Sequence, residues 1–144
     1  MTNEEFLARV DLFSTLSKKE IQTLVRSCQE RRYAAGEILF SQGDPGVGLY
    51  VIQSGRVSVT QAPNPDKAEE KIAELGEGDV LGEMALLDEL PRSATATAVE
   101  DVVALLLPVW EFRATLRNNP DIALSLLAVL SRRLRKAERR VHEV

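Results

Sequence analysis

Two side chains of opposite charge, Glu83 and Arg92, stand nine residues apart in the stretch from Gly76 to Ala98. Three glycines precede or flank the glutamate, and alternating small residues follow the arginine. Arg92 is also the only basic residue between Ile72 and Phe112. A buried cation needs an anionic partner. If Arg92 is buried, its partner is therefore either an acidic side chain or an anionic ligand.

The residue types in this stretch suit a ribose–phosphate ligand. Glycines 76, 78 and 82 let the backbone turn sharply or approach a ligand. The segment GEMALL can form one or two helical turns, whose first N–H groups attract anions. Arg92 can donate two parallel bonds to a phosphate, whereas the Glu83 carboxylate only accepts and suits a sugar hydroxyl. The alternative is a Glu83–Arg92 ion pair that closes the loop, and the spacing alone does not separate the two.

The elements around this stretch predict an antiparallel β-barrel of the jelly-roll type with flanking helices. Short apolar segments bounded by turn residues predict strands at 38–40, 49–52, 57–59, 71–75 and 101–107. The QGDPG segment at 42–46 predicts a tight turn. Helical patterns precede and follow the strands, an order that favours an α+β barrel over βαβ units.

We expect one domain, with N-terminal helices over 1–32, the barrel over 33–107 and C-terminal helices over 108–144. Ser17 with Glu20 three residues later forms a capping-box pattern. Apolar residues of the last helix recur at spacings of three and four, as in the seam of a coiled coil, at Leu127, Leu130, Leu134, Ala137 and Val141. This seam either pairs with a second copy or packs on the chain's own barrel.

Composition excludes several classes of protein. The 144 residues suit a single domain with a substantial core. The single Cys28 excludes an internal disulfide, and no apolar run approaches the roughly 20 residues that span a bilayer. The acidic N-terminus does not resemble a signal peptide, so we expect a cytoplasmic protein. One histidine, His142, is too few for a cupin-type metal enzyme or a nucleophile–histidine site, so we expect no enzyme, no metal and no cofactor.

Charge is distributed unevenly along the chain. Residues 1–110 carry 10 basic and 18 acidic side chains, whereas residues 111–144 carry 8 basic and 4 acidic ones. A basic tail is compatible with a nucleic-acid or acidic partner, but it is more often the solvated face of a helix. No helix-turn-helix follows, so we expect no direct DNA binding from this chain.

The central stretch resembles the phosphate-binding cassette of cyclic nucleotide-binding domains, the family of the catabolite activator protein, protein kinase A regulatory subunits and cyclic-nucleotide-gated channels. That cassette reads Gly-Glu-apolar-Ala-Leu, a short loop, then Pro-Arg-small-Ala-Thr. This chain has Gly82-Glu83-Met84-Ala85-Leu86 and Pro91-Arg92-Ser93-Ala94-Thr95. The glycine pattern upstream is also similar, and the likeness extends over roughly residues 6–143.

The resemblance implies that the chain binds cyclic AMP or cyclic GMP. It implies that Glu83 accepts the ribose 2′-hydroxyl and that Arg92 pairs with the cyclic phosphate. Backbone amides of Ala85 and Ser93, with Gly82 nearby, would complete the anion pocket. The ligand-binding set implied is Gly82, Glu83, Met84, Ala85, Arg92, Ser93 and Ala94.

The resemblance also implies that the last helix relays binding and pairs two copies into a homodimer. In catabolite-activator-like members a hydroxyl residue on this helix reads the base. Ala137 and Glu138 occupy those positions here, so the sequence does not indicate which base is preferred. The expected function is that of a sensor module, either standing alone or forming the sensor part of a transcriptional regulator. The alternative is a ligand-free barrel that acts in dimerisation or protein docking.

Overall fold

A computed structural model describes residues 1–142 as a β-barrel with helices at both ends, which confirms the predicted fold class. The N-terminal segment contains α1 (Asn3–Ala8), a 3₁₀ helix (Asp11–Phe13) and α2 (Lys18–Val25). The strands are β1 (Gln29–Tyr33), β2 (Ile38–Phe40), β3 (Gly48–Ser54), β4 (Val57–Gln61), β5 (Glu70–Leu75), β6 (Val80–Leu81), β7 (Thr95–Ala98) and β8 (Val102–Pro108). The remaining helices are α3 (Ala85–Asp88), α4 (Val109–Asn118) and α5 (Pro120–His142).

The strands form two antiparallel sheets of four, in the orders β1-β8-β3-β6 and β2-β7-β4-β5. The pairing of β3 with β8 runs from Gly48 opposite Pro108 to Ser54 opposite Val103. Apolar side chains between the sheets form one core, which we call the inter-sheet core. A second core, the helix-side core, joins the first sheet to the helices through residues such as Phe13, Leu107 and Phe112. The first sheet therefore contributes to both cores, and the helices pack against its outer face.

The predicted N-terminal helices are present, but the predicted end of this helical segment at residue 32 is wrong. Ser17 accepts from the Glu20 amide at 3.1 Å and the Glu20 carboxylate accepts from the Ser17 amide at 2.9 Å, so the capping box is present. Residues 29–33, which the 1–32 boundary assigned largely to helix, instead form the edge strand β1. Its sequence QERRY is polar and mostly exposed, so it carries no alternating apolar pattern. Pairing with β8 makes it a strand.

Gly48 shows why a small residue is needed where β3 enters the barrel. A Cβ at this position would lie 2.3 Å from the carbonyl oxygen of Leu107 on the neighbouring strand. The Gly48 carbonyl in turn accepts a hydrogen bond from Arg92.

Among residues 1–142, no helix combines the length and apolar character needed to cross a bilayer.

Candidate functional site

A cavity of about 560 Å³ opens beside the second sheet and the segment that joins β6 to β7. We call residues 76–98 the cassette. All seven residues predicted for the ligand site line this cavity: Gly82, Glu83, Met84, Ala85, Arg92, Ser93 and Ala94. Apolar side chains from the strands complete the wall, including Phe40, Val59, Ile72 and Leu81. The structure therefore brings the predicted set together around one space.

Arg92 is the buried cation of this cavity, with only 5% of its surface exposed. Its Nη2 donates to the Gly48 carbonyl at 2.7 Å. Within the described residues, Nε and Nη1 have no hydrogen-bond partner. Burial lowers the pKa of Arg92 from its ordinary value, but a guanidinium remains charged in proteins. Two buried nitrogens of a cation with unpaired N–H groups are costly unless an anion meets them.

Aromatic rings from both sheets surround the Arg92 guanidinium. Its central carbon lies 4.3 Å from the ring centroid of Phe40 on β2 and 5.8 Å from that of Tyr50 on β3. The two rings are 5.8 Å apart and tilted by 39°. Both distances from the guanidinium fall within the range of cation–π attraction, so the charge is stabilised by ring faces.

The turn at 42–46 fixes the backbone of Arg92. The Arg92 amide donates to the Asp44 carbonyl at 2.7 Å, and the Gly43 amide donates to the Arg92 carbonyl at 2.8 Å. Gly46 of the same turn lies close to Leu90: an added Cβ at Gly46 would be 2.8 Å from the Leu90 carbonyl oxygen. This turn, which the sequence predicted, therefore positions Arg92 through its main chain.

Glu83 is held by partners that the sequence did not indicate. Its Oε1 accepts from the Leu12 amide at 3.1 Å and from Arg133 of α5. Arg133 also donates through Nε to Asp11 at 3.0 Å. The alternative ion pair between Glu83 and Arg92 does not form. Among the described residues, the hydrogen-bond donors to the Glu83 carboxylate all bind Oε1, and none binds Oε2.

Of the two backbone amides expected to face the ligand, that of Ala85 already has a hydrogen-bond partner in the chain. The Ala85 amide donates to the Gly82 carbonyl at 3.1 Å, closing a turn at the start of α3. The Ser93 carbonyl accepts from Gln61 at 2.9 Å, and Ser93 is exposed. Ala94, Ala96 and Ala98 are all buried in the inter-sheet core, and of the three Ala94 also lines the cavity.

Comparison with known proteins assigns this arrangement to a family. A family model described as "Cyclic nucleotide-binding domain" matches residues 30–119, which include the whole cassette. The chain belongs to the cyclic nucleotide-binding domain family.

Relatives of this cyclic nucleotide-binding domain include bacterial regulators. The chain is 41% identical over 127 residues to the "Cyclic AMP receptor protein" of Thermus thermophilus, covering 88% of this chain and 58% of that protein. It is 33% identical over 133 residues to the "CRP-like cAMP-activated global transcriptional regulator" of Mycobacterium tuberculosis, covering 92% of this chain and 59% of that protein. The chain thus spans less than two thirds of these relatives, and it is related to CRP-like transcriptional regulators.

A solved structure agrees with the fold of this cyclic nucleotide-binding domain. The N-terminal domain of a transcriptional regulator from Streptomyces coelicolor superposes with a TM-score of 0.84 at 37% sequence identity. The match covers 92% of this chain and 94% of that one.

Three contacts of the site could not be read from the spacing of residues. Phe40 and Tyr50 belong to segments predicted as strands, and their aromatic type, which permits cation–π contact, is the only signal that could have pointed to Arg92. Arg133 is one of several charged residues beside the predicted seam of α5, and nothing in the sequence distinguishes it from its neighbours. Its contact with Glu83 joins residues 50 positions apart, so no local pattern pointed to it.

Proposed function

We propose that this domain binds a cyclic nucleotide, cyclic AMP or cyclic GMP, and that Arg92 pairs with its cyclic phosphate. The observation that carries the proposal is the buried guanidinium at the cavity wall, two of whose nitrogens have no hydrogen-bond partner among the described residues. Phosphate oxygens can accept charge-assisted hydrogen bonds from these nitrogens. A singly charged phosphodiester also neutralises the single positive charge of Arg92.

Glu83 is the proposed acceptor for the ribose 2′-hydroxyl. Leu12 and Arg133 hold one carboxylate oxygen, and the other has no donor within the part of the chain that the structure describes. The carboxylate is thereby oriented before the ligand arrives, which reduces the entropy lost on binding. The Ser93 amide completes the proposed phosphate site. The Ala85 amide joins it only by exchanging its bond to Gly82 for one to the ligand.

Calorimetric titration of the purified chain with cyclic AMP and cyclic GMP tests the proposal. Saturable binding with one site per chain is expected for at least one of them, and 5′-AMP serves as the open-phosphate control. A folded sample that gives neither heat nor a thermal shift with either cyclic nucleotide would contradict the proposal. The names of the relatives make cyclic AMP the first ligand to test.

The Gly82→Ala variant separates backbone strain from damage to the phosphate site. Gly82 has φ +75°, and an added Cβ would lie 1.9 Å from Arg92 Nη1. Gly36→Ala is the matched control, because Gly36 has φ +88° with no atom within 4 Å of an added Cβ. Both variants should lose roughly 1–2 kcal/mol of unfolding free energy in a urea titration, the cost of a left-handed backbone for alanine.

Only Gly82→Ala is expected to weaken cyclic AMP binding, since only its methyl group displaces the Arg92 guanidinium. Equal affinities for the two variants, both measured by titration of folded protein, would mean that Arg92 does not need its observed position.

The proposed signal leaves the site through α5. Arg133 on this helix donates to Glu83 and Asp11, and its Nη1 lies 3.3 Å from the Met84 sulfur. A ligand bound at Glu83 therefore changes the surroundings of a residue that anchors α5. Ligand affinity then differs between two positions of the helix, as a switch requires.

Arg133→Leu should uncouple α5 from the ligand. Hydrogen exchange of amides in 120–142 is expected to change with cyclic AMP by about fivefold, at the low end of allosteric couplings. The change should shrink in Arg133→Leu and persist in Arg132→Leu, whose side chain is exposed on the same helix. An undiminished response in Arg133→Leu would exclude this route.

A homodimer through α5 is the proposed assembly. Leu130 of the predicted seam packs partly against the helix-side core, but Leu127 is 60% and Leu134 is 61% exposed. Leu124, at 63% exposure, lies near Leu127 on the same helix. Seven-residue spacing of exposed leucines is typical of a helix pair. Val141 lies among residues whose side-chain surroundings the structure does not describe.

Leu134→Glu is expected to give monomers of 15.9 kDa in sedimentation experiments, whereas the wild-type chain should have twice that mass. Placing two carboxylates in an apolar seam, with the loss of two buried leucines, should weaken association by at least about 100-fold. Val99→Glu, an exposed apolar position between β7 and β8, is the control. A monomeric wild-type protein would refute the assembly.

The wider role follows from the relatives. We propose that the domain acts as the sensor part of a cytoplasmic transcriptional regulator. The support is its similarity to the regulators of Thermus thermophilus and Mycobacterium tuberculosis.

A further inference from the structure

Arg92 lies in an unusual setting for a buried cation, because its recorded side-chain contacts are one carbonyl and two aromatic rings. The carbonyl of Gly48 accepts from Nη2. The ring of Phe40 covers the guanidinium at 4.3 Å, and that of Tyr50 lies further away at 5.8 Å. Among the ion pairs of the described part of the chain, none involves Arg92.

The difference between a ring and a carboxylate matters for an anion-binding site. A guanidinium directs its N–H groups outward in its own plane and presents its two faces above and below that plane. A carboxylate partner would occupy the N–H edge and cancel the charge. A ring stacked on a face attracts the charge and leaves the edge available. The two unpaired nitrogens, Nε and Nη1, both direct their N–H bonds outward in that plane, so a ring stacked on a face leaves both available.

We propose that Phe40 is a positioning residue for the ligand: it holds the Arg92 guanidinium by its face, so that its unpaired N–H groups stay available to the phosphate. This inference rests on the proposed function of Arg92. Phe40 is the nearer ring, and it lies on β2, which comes from the sheet opposite to that of Gly48. The guanidinium is thereby fixed from both walls of the barrel.

Phe40 also lines the cavity, so a plain loss of affinity would not separate support of Arg92 from direct contact with the ligand. Phe40→Leu removes the ring but keeps an apolar side chain, and Phe40→Tyr keeps the ring. Cyclic AMP affinity should fall in Phe40→Leu by roughly fivefold to thirtyfold, as for loss of a desolvated cation–π contact. Phe40→Tyr should bind within about twofold of wild type, because tyrosine retains the ring face.

A double-mutant cycle without ligand tests the link to Arg92 directly. Urea unfolding is measured for wild type, Phe40→Leu, Arg92→Leu and the double variant. Phe40→Leu should lower the unfolding stability more in the wild-type background than in the Arg92→Leu background, with a coupling of at least about threefold in the unfolding equilibrium constant. Additive effects of the two substitutions would overturn the inference, since Phe40 would then act independently of Arg92.

Each outcome of the binding measurements also supports or overturns the inference. Wild-type affinity in Phe40→Leu, or failure of Phe40→Tyr to bind, would overturn the positioning role alone. Absence of cyclic nucleotide binding by the wild-type protein would overturn the proposed function and this inference with it. Arg92-dependent stabilisation together with retained binding in Phe40→Tyr supports the inference.

Discussion

Replacing Arg92 by leucine is expected to weaken cyclic AMP binding by roughly 10- to 150-fold, the equivalent of about 1.5–3 kcal/mol for a charge-assisted contact. The structure explains the size of this effect. Nε and Nη1 are unpaired and buried, so the phosphate meets donors that have already lost their water. Leucine offers no donor and no charge.

The same substitution should leave the fold as stable as before or more stable. Arg92 is 5% exposed and buries a charge beside unpaired N–H groups. Replacing such a buried charge by an apolar side chain is often neutral or stabilising. Titration calorimetry measures the expected loss of affinity, and urea unfolding of the same samples measures the expected unchanged or increased stability. Arg32→Leu is the control, because the Arg32 side chain is 76% exposed. Loss of both binding and stability in Arg92→Leu would indicate that Arg92 supports the fold instead of a ligand.

Phe112→Ala is expected to remove about 3–5 kcal/mol of unfolding free energy, the usual cost of truncating a buried phenylalanine. Phe112 on α4 is fully buried, and its ring centroid lies 6.2 Å from that of Phe13. This pair joins the C-terminal helices to the N-terminal segment, within the helix-side core that also contains Leu126 and Val129 of α5.

Urea unfolding followed by circular dichroism measures the loss. Trp110→Ala is the control on the same helix, because Trp110 is 58% exposed and should change stability by no more than about 0.5 kcal/mol. Similar losses for the two variants would mean that α4 does not pack through the face that carries Phe112.

The sequence predicted the parts of the fold that depend on local patterns. Turn residues and apolar runs located β2, β3, β4, β5 and β8, and Ser17 with Glu20 located the start of α2. Residues 29–33 were missed because a polar edge strand has no apolar alternation, and its conformation comes from pairing with β8.

The candidate site was predictable to the extent that its residues are close in sequence. The cassette turn, loop and strand together place Gly82 and Arg92 at one cavity. The environment of each charge was not predictable, because it comes from distant elements. Glu83 is bound by Leu12 and Arg133, at sequence separations of 71 and 50 residues. Such contacts depend on how α5 packs, which spacing within the cassette does not specify.

A crystal structure of the wild-type chain grown with cyclic AMP is the most direct test of the central claim. We expect density for the nucleotide in the cavity, with a phosphate oxygen within about 3.2 Å of Arg92 Nε or Nη1 and the ribose 2′-hydroxyl at Glu83. Density elsewhere, or a nucleotide whose phosphate leaves both Arg92 atoms unpaired, would contradict the assignment.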